Sequence, residues 1–185
     1  MNKYSRLLLL TTFCVAAWML PTHAQTLVVS NATWNYFIGT TEASDPIDAW
    51  RFLAYEDGTW QSGGAPFFYE TGTGYSGTTD LIAMQNTATT VYLRHVFQVT
   101  DLASIASLDL VGEVDDGCVI YINGVELARP GVDVGEVFYN STGQNASPEP
   151  RPIDEFVPVL GQGILNPGDN VLAVHVLNQA IDSSD

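Results

Sequence analysis

From residue 26 onward, short runs of β-branched and aromatic residues alternate with clusters of Gly, Pro, Asn, Asp and Ser. No segment keeps a helical period over about a dozen residues, so the chain reads as all-β. In residues 91–100, Val91, Leu93, His95, Phe97 and Val99 fall on one side, with Tyr92, Arg94, Val96, Gln98 and Thr100 on the other, predicting a half-buried strand. His95 lies on the apolar side and is expected to be a core-edge imidazole with a hydrogen-bond partner. Ala106, Leu108 and Leu110 alternate with Ser107 and Asp109 in a following strand. Residues 170–178 place Leu172, Val174 and Val176 inward and Ala173 and His175 outward, so His175 is expected to be exposed or to line a groove. Further strands are predicted at 27–29 and 34–38, a short one at 136–140, and an edge piece at 156–160, interrupted by Pro158. Residues 61–66 read as a Gly-Pro loop and 71–90 as a long surface loop dominated by Thr and Gly.

The best-specified stretch runs from Val114 to Arg129. Strand-forming residues 118–122 meet Asn123-Gly124, the pair that most favours a type I′ turn, and residues 125–129 run back. This tight hairpin pairs Ile122 with Val125, Ile120 with Leu127 and Cys118 with Arg129, giving one apolar face; Val119, Tyr121, Glu126 and Ala128 take the other. An isolated ribbon is marginal in water, so the apolar face must lie on a larger sheet system.

At the start, Lys3 and Arg6 precede an uncharged run from Leu7 to Leu20, followed by Pro21-Thr22-His23-Ala24. The pattern is that of a secretory signal cleaved after Ala24. Its fourteen residues fall short of the ~20 that a spanning helix needs, so no membrane insertion is expected after cleavage, and the mature protein is read as secreted or at the cell surface. Residues 25–185 then form one domain. Without residues 1–24 the chain has no lysine and keeps four arginines, Arg51, Arg94, Arg129 and Arg151, against 21 acidic residues, a charge of −17. Such a surface disfavours nucleic acid and anionic membranes. Cys14 leaves with the signal, so Cys118 has no internal disulfide partner and reads as a small buried hydrophobe.

Catalytic chemistry is not indicated. There is no Gly-x-Ser-x-Gly, no His-Glu-x-x-His and no cysteine pair for zinc, and among so many acids no carboxylate pair stands apart. Calcium is the cofactor such acidity could hold, since hard cations take several oxygens; Asp45 with Asp48, Glu56 with Asp57, and Asp115 with Asp116 are the candidate ligands, with turn chemistry as the alternative for the last pair. Carbohydrate recognition asks for aromatic platforms beside polar groups on loops. Trp60, Phe68, Tyr69, Tyr75 and Tyr139, with Arg94 as polar partner, are the candidate ligand-binding residues.

Several motifs in order carry a family resemblance: Trp34-Asn35-Tyr36, Trp60 followed by Gly64-Ala65-Pro66, Tyr92-Leu93-Arg94, Asp115-Asp116-Gly117 leading into Tyr121-Ile122-Asn123-Gly124-Val125-Glu126, Asn170-Val171-Leu172-Ala173-Val174-His175, and Ser183-Ser184-Asp185. Over residues 27–185 the chain resembles the galactose-binding-like β-sandwich modules of large secreted bacterial proteins. It departs from their pattern at residues 55–60 and 67–70, in predicted loops, so the resemblance speaks to the fold more than to the ligand. The implied fold is a jelly-roll sandwich of about eight antiparallel strands, lacking its last strand through truncation after residue 185. The implied function is a non-catalytic extracellular module whose partner is carbohydrate or a neighbouring domain of the same chain. The alternatives are a structural or adhesive spacer, or an accessory domain of an enzyme whose catalytic part lies further along the chain.

Overall fold

In the computed structural model, residues 25–68 and 77–183 are described. Residues 1–24, the predicted signal segment, lie outside them. Among the described residues no helix is long and apolar enough to cross a membrane. The architecture is all-β. The described residues form ten strands, β1 (Thr33–Ile38), β2 (Gln61–Gly64), β3 (Phe67–Phe68), β4 (Thr79–Asp80), β5 (Thr90–Val99), β6 (Ser107–Val114), β7 (Gly117–Ile122), β8 (Val125–Ala128), β9 (Arg151–Pro158) and β10 (Gly168–Leu177), with three single-turn 3-10 helices between them. A six-stranded antiparallel sheet has the order β2-β1-β5-β10-β7-β8. Opposite it stand the antiparallel ribbon β6-β9 and the two-residue pair β3-β4, which is parallel, against the antiparallel expectation.

The alternating strands β5 and β10 are the middle of the large sheet, paired along ten residues each. One face of that sheet, through Cys118, Ile120, Val174 and Val176, meets Leu110, Val114 and Ile153 of the ribbon. Tyr36, Val91 and Leu93 on the same face pack on Phe67, Leu81 and Met84. The opposite face carries Tyr92, Val119, Tyr121, Ala173 and Leu177, and it too is buried, under Ala43, Trp50 and Val137 from irregular chain. Thus both sides of the large sheet are apolar because loops 40–60 and 131–146 replace a third layer.

This loop cover corrects two expectations. His175 is 0% exposed rather than groove-lining, because Trp50 and Tyr92 pack against it from the side predicted to face water. Tyr92 and Arg94, on the polar side of β5, are 1% and 2% exposed, so this part of the strand is buried on both faces. Tyr121 and Val119 are likewise buried. His95 behaves as expected: it is half-buried, and its Nδ1 lies 2.8 Å from the Thr33 carbonyl oxygen.

The hairpin forms at the predicted turn, with Asn123 at φ 51° and Gly124 at φ 85°, the positive values that a type I′ turn requires. Its register departs after two pairs: Ile122 faces Val125 and Tyr121 faces Glu126, but a bulge sets Ile120 opposite Ala128 instead of Leu127. Residues 27–29 and 136–140 form no strand; Leu27 and Val28 instead pack into the cluster around Phe97, Ile122 and Leu165. Residues 61–64, read as loop, make the edge strand β2. Strand β9 begins at Arg151, five residues before the predicted edge piece. Its prolines, Pro152 and Pro158, are tolerated because β9 pairs on one side only.

Candidate functional site

Among the described residues, the candidates Trp60, Phe68, Arg94 and Tyr139 do not converge on one groove. Tyr69 and Tyr75 lie outside the described residues. Phe68 sits on β3, beside Phe67, whose ring meets Tyr36 at 5.4 Å. Trp60 is half-buried, its ring centroid 5.7 Å from Phe37, 5.8 Å from Tyr55 and 6.4 Å from Tyr92. It belongs to the aromatic cover of the large sheet.

Arg94 is a tie between that cover and the sheet rather than a solvent-facing partner. Its Nε donates to Asp57 Oδ2 at 2.7 Å, and its terminal nitrogens donate to the carbonyls of Trp50, Phe52 (3.0 Å) and Tyr55 (3.2 Å). The other carboxylate oxygen of Asp57 accepts from Asn35 Nδ2 at 3.0 Å. Planar forks satisfy several oxygens at once, which explains why arginine stands on an inward-facing strand position.

The remaining arginines are equally committed. Arg51 pairs with Glu136 and lies over the Tyr121 ring at 4.5 Å. Arg129 donates to both carboxylate oxygens of Glu126, at 2.8 and 2.6 Å, which raises the guanidinium pKa. Arg151 donates to the carbonyls of Asp116 (2.9 Å), Gln144 (3.2 Å) and Asn145 (3.3 Å). Every basic side chain of the described residues except the histidines is therefore turned to an internal partner, and the outward charge is acidic.

The candidate calcium ligands separate into different roles. Asp45 is exposed and Asp48 half-buried in the turn leading to Trp50. Asp116, at φ 55°, is 2% exposed; its Oδ2 accepts from the Gln179 N–H at 2.7 Å and its Oδ1 from that of Ala146 at 3.2 Å. That carboxylate fastens two distant loops to the start of β7. Among the described residues no three His, Cys, Asp or Glu side chains gather as a metal site.

Tyr139 lines a hollow. The hollow, of about 210 Å³, lies where β1 ends, β5 begins and β10 ends, and Gly39, Thr89, Tyr139, Asn140 and Ile181 contribute to its lining. The walls are held by bonds from Gly39 N–H to Thr90 O (2.8 Å), Thr90 Oγ1 to Tyr139 O (2.7 Å) and Asn178 N–H to Thr89 O (2.8 Å). Glycine is required at 39, because a Cβ there would sit 2.0 Å from Thr90 Oγ1. Tyr139 is half-buried and Asn140 exposed, whereas the Thr89 hydroxyl is buried without a partner. Sequence reasoning reached Tyr139 as an aromatic on a loop. It missed Thr89, Asn140 and Ile181, which come together only through the sheet. A second trough, about 460 Å³ at the opposite end, is lined by Leu102, Ile105, Val159, Leu160 and Leu165 and carries no polar side chain.

No family matches the chain by sequence profile, and no curated protein matches it by sequence. Solved structures do match in fold. A β-glucuronidase from an uncultured Clostridium sp. superposes with a TM-score of 0.52 at 21% identity, over 86% of this chain and 24% of that one. A calcium-binding mutant of Bacteroides uniformis β-glucuronidase 2 gives 0.51 at 17% identity, over 84% and 15%. The β-glucuronidase from Ruminococcus gnavus in complex with D-glucuronic acid gives 0.51 at 13%, over 86% and 23%. The chain thus has the fold of a β-sandwich portion of these enzymes, and spans between about a seventh and a quarter of their length.

Proposed function

We propose that this chain is a non-catalytic, galactose-binding-like β-sandwich module of a longer secreted or cell-surface protein, and that it binds carbohydrate. The observation that carries the reading is the fold match: most of this chain superposes on a minor part of sugar-hydrolysing enzymes, the relation expected of an accessory domain. Fold alone does not define function, so the test is direct. A broad glycan array, run with the full chain in the presence and absence of calcium, is expected to show reproducible binding; signal at background throughout removes the reading.

One observation favours a second role, packing against a neighbouring domain. On the outer side of the β6-β9 ribbon Val111 is 79% and Phe156 68% exposed, diagonal to one another across the register. Large apolar side chains side by side on a surface mark contact sites. If Val111→Ser with Phe156→Ser destabilises the longer protein but not this chain alone, the ribbon is a domain contact.

A further inference from the structure

Resting on the carbohydrate reading above, we propose that the hollow beside Tyr139 is the sugar-contacting subsite, and that it accepts one neutral sugar residue while rejecting uronic acids. Size sets the first limit. At about 210 Å³ the hollow is smaller than the ~300 Å³ at which sites for drug-sized ligands begin, so a single ring enters and the rest of a glycan stays outside.

The lining chemistry suits a hydroxylated ring. Tyr139 is the aromatic residue of the wall, and an aromatic ring offers a face to sugar C–H groups. Asn140, exposed at the rim, has an amide that donates and accepts. Thr89 holds a buried hydroxyl without a partner, an unfavourable state that a ligand hydroxyl relieves. As the side chain stands the hydroxyl is covered, so this contact requires Thr89 to turn about χ1 to another staggered well.

Charge sets the second limit. No residue lining the hollow carries a charge, and the four arginines beyond residue 24 are bonded to partners elsewhere in the fold. Glu42 stands behind the wall, its Oε1 3.4 Å from the Tyr139 nitrogen. A sugar carboxylate brought here finds no cation and meets the field of an acidic surface, whereas a neutral ring meets no such opposition.

The test compares the full chain with Tyr139→Ala, Thr89→Val and the exposed-site variant Asn140→Ala, using glycan arrays followed by calorimetric titration with the best neutral oligosaccharide and its uronate counterpart. Loss of about tenfold or more for Tyr139→Ala and about threefold or more for Asn140→Ala and Thr89→Val is expected, with folding checked by near-UV circular dichroism. The uronate is expected to bind at least about tenfold more weakly than the neutral sugar. Should the unaltered chain bind a neutral glycan while folded Asn140→Ala and Thr89→Val, and Tyr139→Ala where it folds, keep its affinity, the subsite lies elsewhere and only this inference fails. Equal or tighter binding of the uronate overturns the selectivity. If the unaltered chain binds no glycan at all, the carbohydrate reading itself falls.

Discussion

The imidazole of His175 lies flat on the ring of Tyr92, with centroids 3.9 Å apart and planes 20° from parallel, and neither of its nitrogens has a hydrogen-bond partner. Burial first, and then the Arg51 guanidinium, push its pKa down from 6.5 to about 3. The unfolded chain takes up this proton near 6.5 and the folded chain only near 3. His175 therefore adds no pH dependence above about 6.5; as the pH falls from there toward 3 its protonation favours unfolding. At roughly 1.4 kcal/mol per pH unit the accumulated loss is on the order of several kcal/mol. Thermal melts of the unaltered chain between pH 7 and pH 4, set against His175→Phe, are expected to show a markedly flatter slope in the variant. Equal slopes would show that the imidazole is solvated.

Arg94 was legible as a polar residue on a strand, and its role separates cleanly by mutation. With the side chain 2% exposed and all its partners inside the protein, Arg94→Lys replaces a fork by a single ammonium and strands at least one carbonyl as well as weakening the Asp57 pair. Breaking a buried pair costs roughly 3–5 kcal/mol, and partial replacement by lysine is expected to cost about 2–3 kcal/mol in urea unfolding. A variant with unchanged stability and weakened glycan binding would return Arg94 to the ligand site.

What could be read from the sequence was set by period and turn chemistry. Asn123-Gly124 announced its hairpin because few dipeptides accept two positive φ values, and β5 and β10 announced themselves by alternation. The burial of His175 was not legible: alternation assigns two faces but cannot say that aperiodic chain around Trp50 and Val137 will cover the second. Strand β9 was hidden by Pro152 and Pro158, which block prediction of a central strand but not of a one-sided ribbon. The hollow was half legible, since Tyr139 is recognisable as a loop aromatic, while Thr89 and Ile181 reach it from 50 and 42 positions away.

Asp116 gives a prediction that separates a structural carboxylate from a calcium ligand. Both oxygens accept backbone N–H groups, from Gln179 and Ala146. Asp116→Ala is expected to lower stability by about 1–3 kcal/mol through stranded donors, by the same amount in excess calcium and in chelator. A loss seen only with calcium present would instead identify the turn as a metal site.

Cys118 is 1% exposed, and burial pushes its thiol up to about 12, partly offset by Arg151. The thiolate is the reactive species, so the folded chain at pH 8 is expected to be inert to a disulfide reagent over hours. Adding denaturant should release this thiol at once. Rapid modification of the folded protein would mean that the β7 face opens readily.

The turn residue Asn123 does more than favour a positive φ. Its Nδ2 donates to Asn170 Oδ1 at 2.7 Å and to the Ile164 carbonyl at 2.9 Å, while its Oδ1 accepts from the Val171 N–H at 3.0 Å. Asn170, 0% exposed, in turn closes the loop before β10, accepting from Asn166 N–H at 2.8 Å and donating to Asn166 O at 2.8 Å and Gly168 O at 2.9 Å. Asn123→Gly keeps a residue that reaches positive φ without strain, so any loss of stability reports the side-chain bridge rather than the turn. We expect about 1–3 kcal/mol in urea unfolding, because buried donors and acceptors on two loops lose their partners together. Asn170→Ala should cost a similar amount, and the double variant clearly less than the sum, since the two amides share one network. Additive losses would show that the hairpin turn and the loop before β10 are stabilised independently.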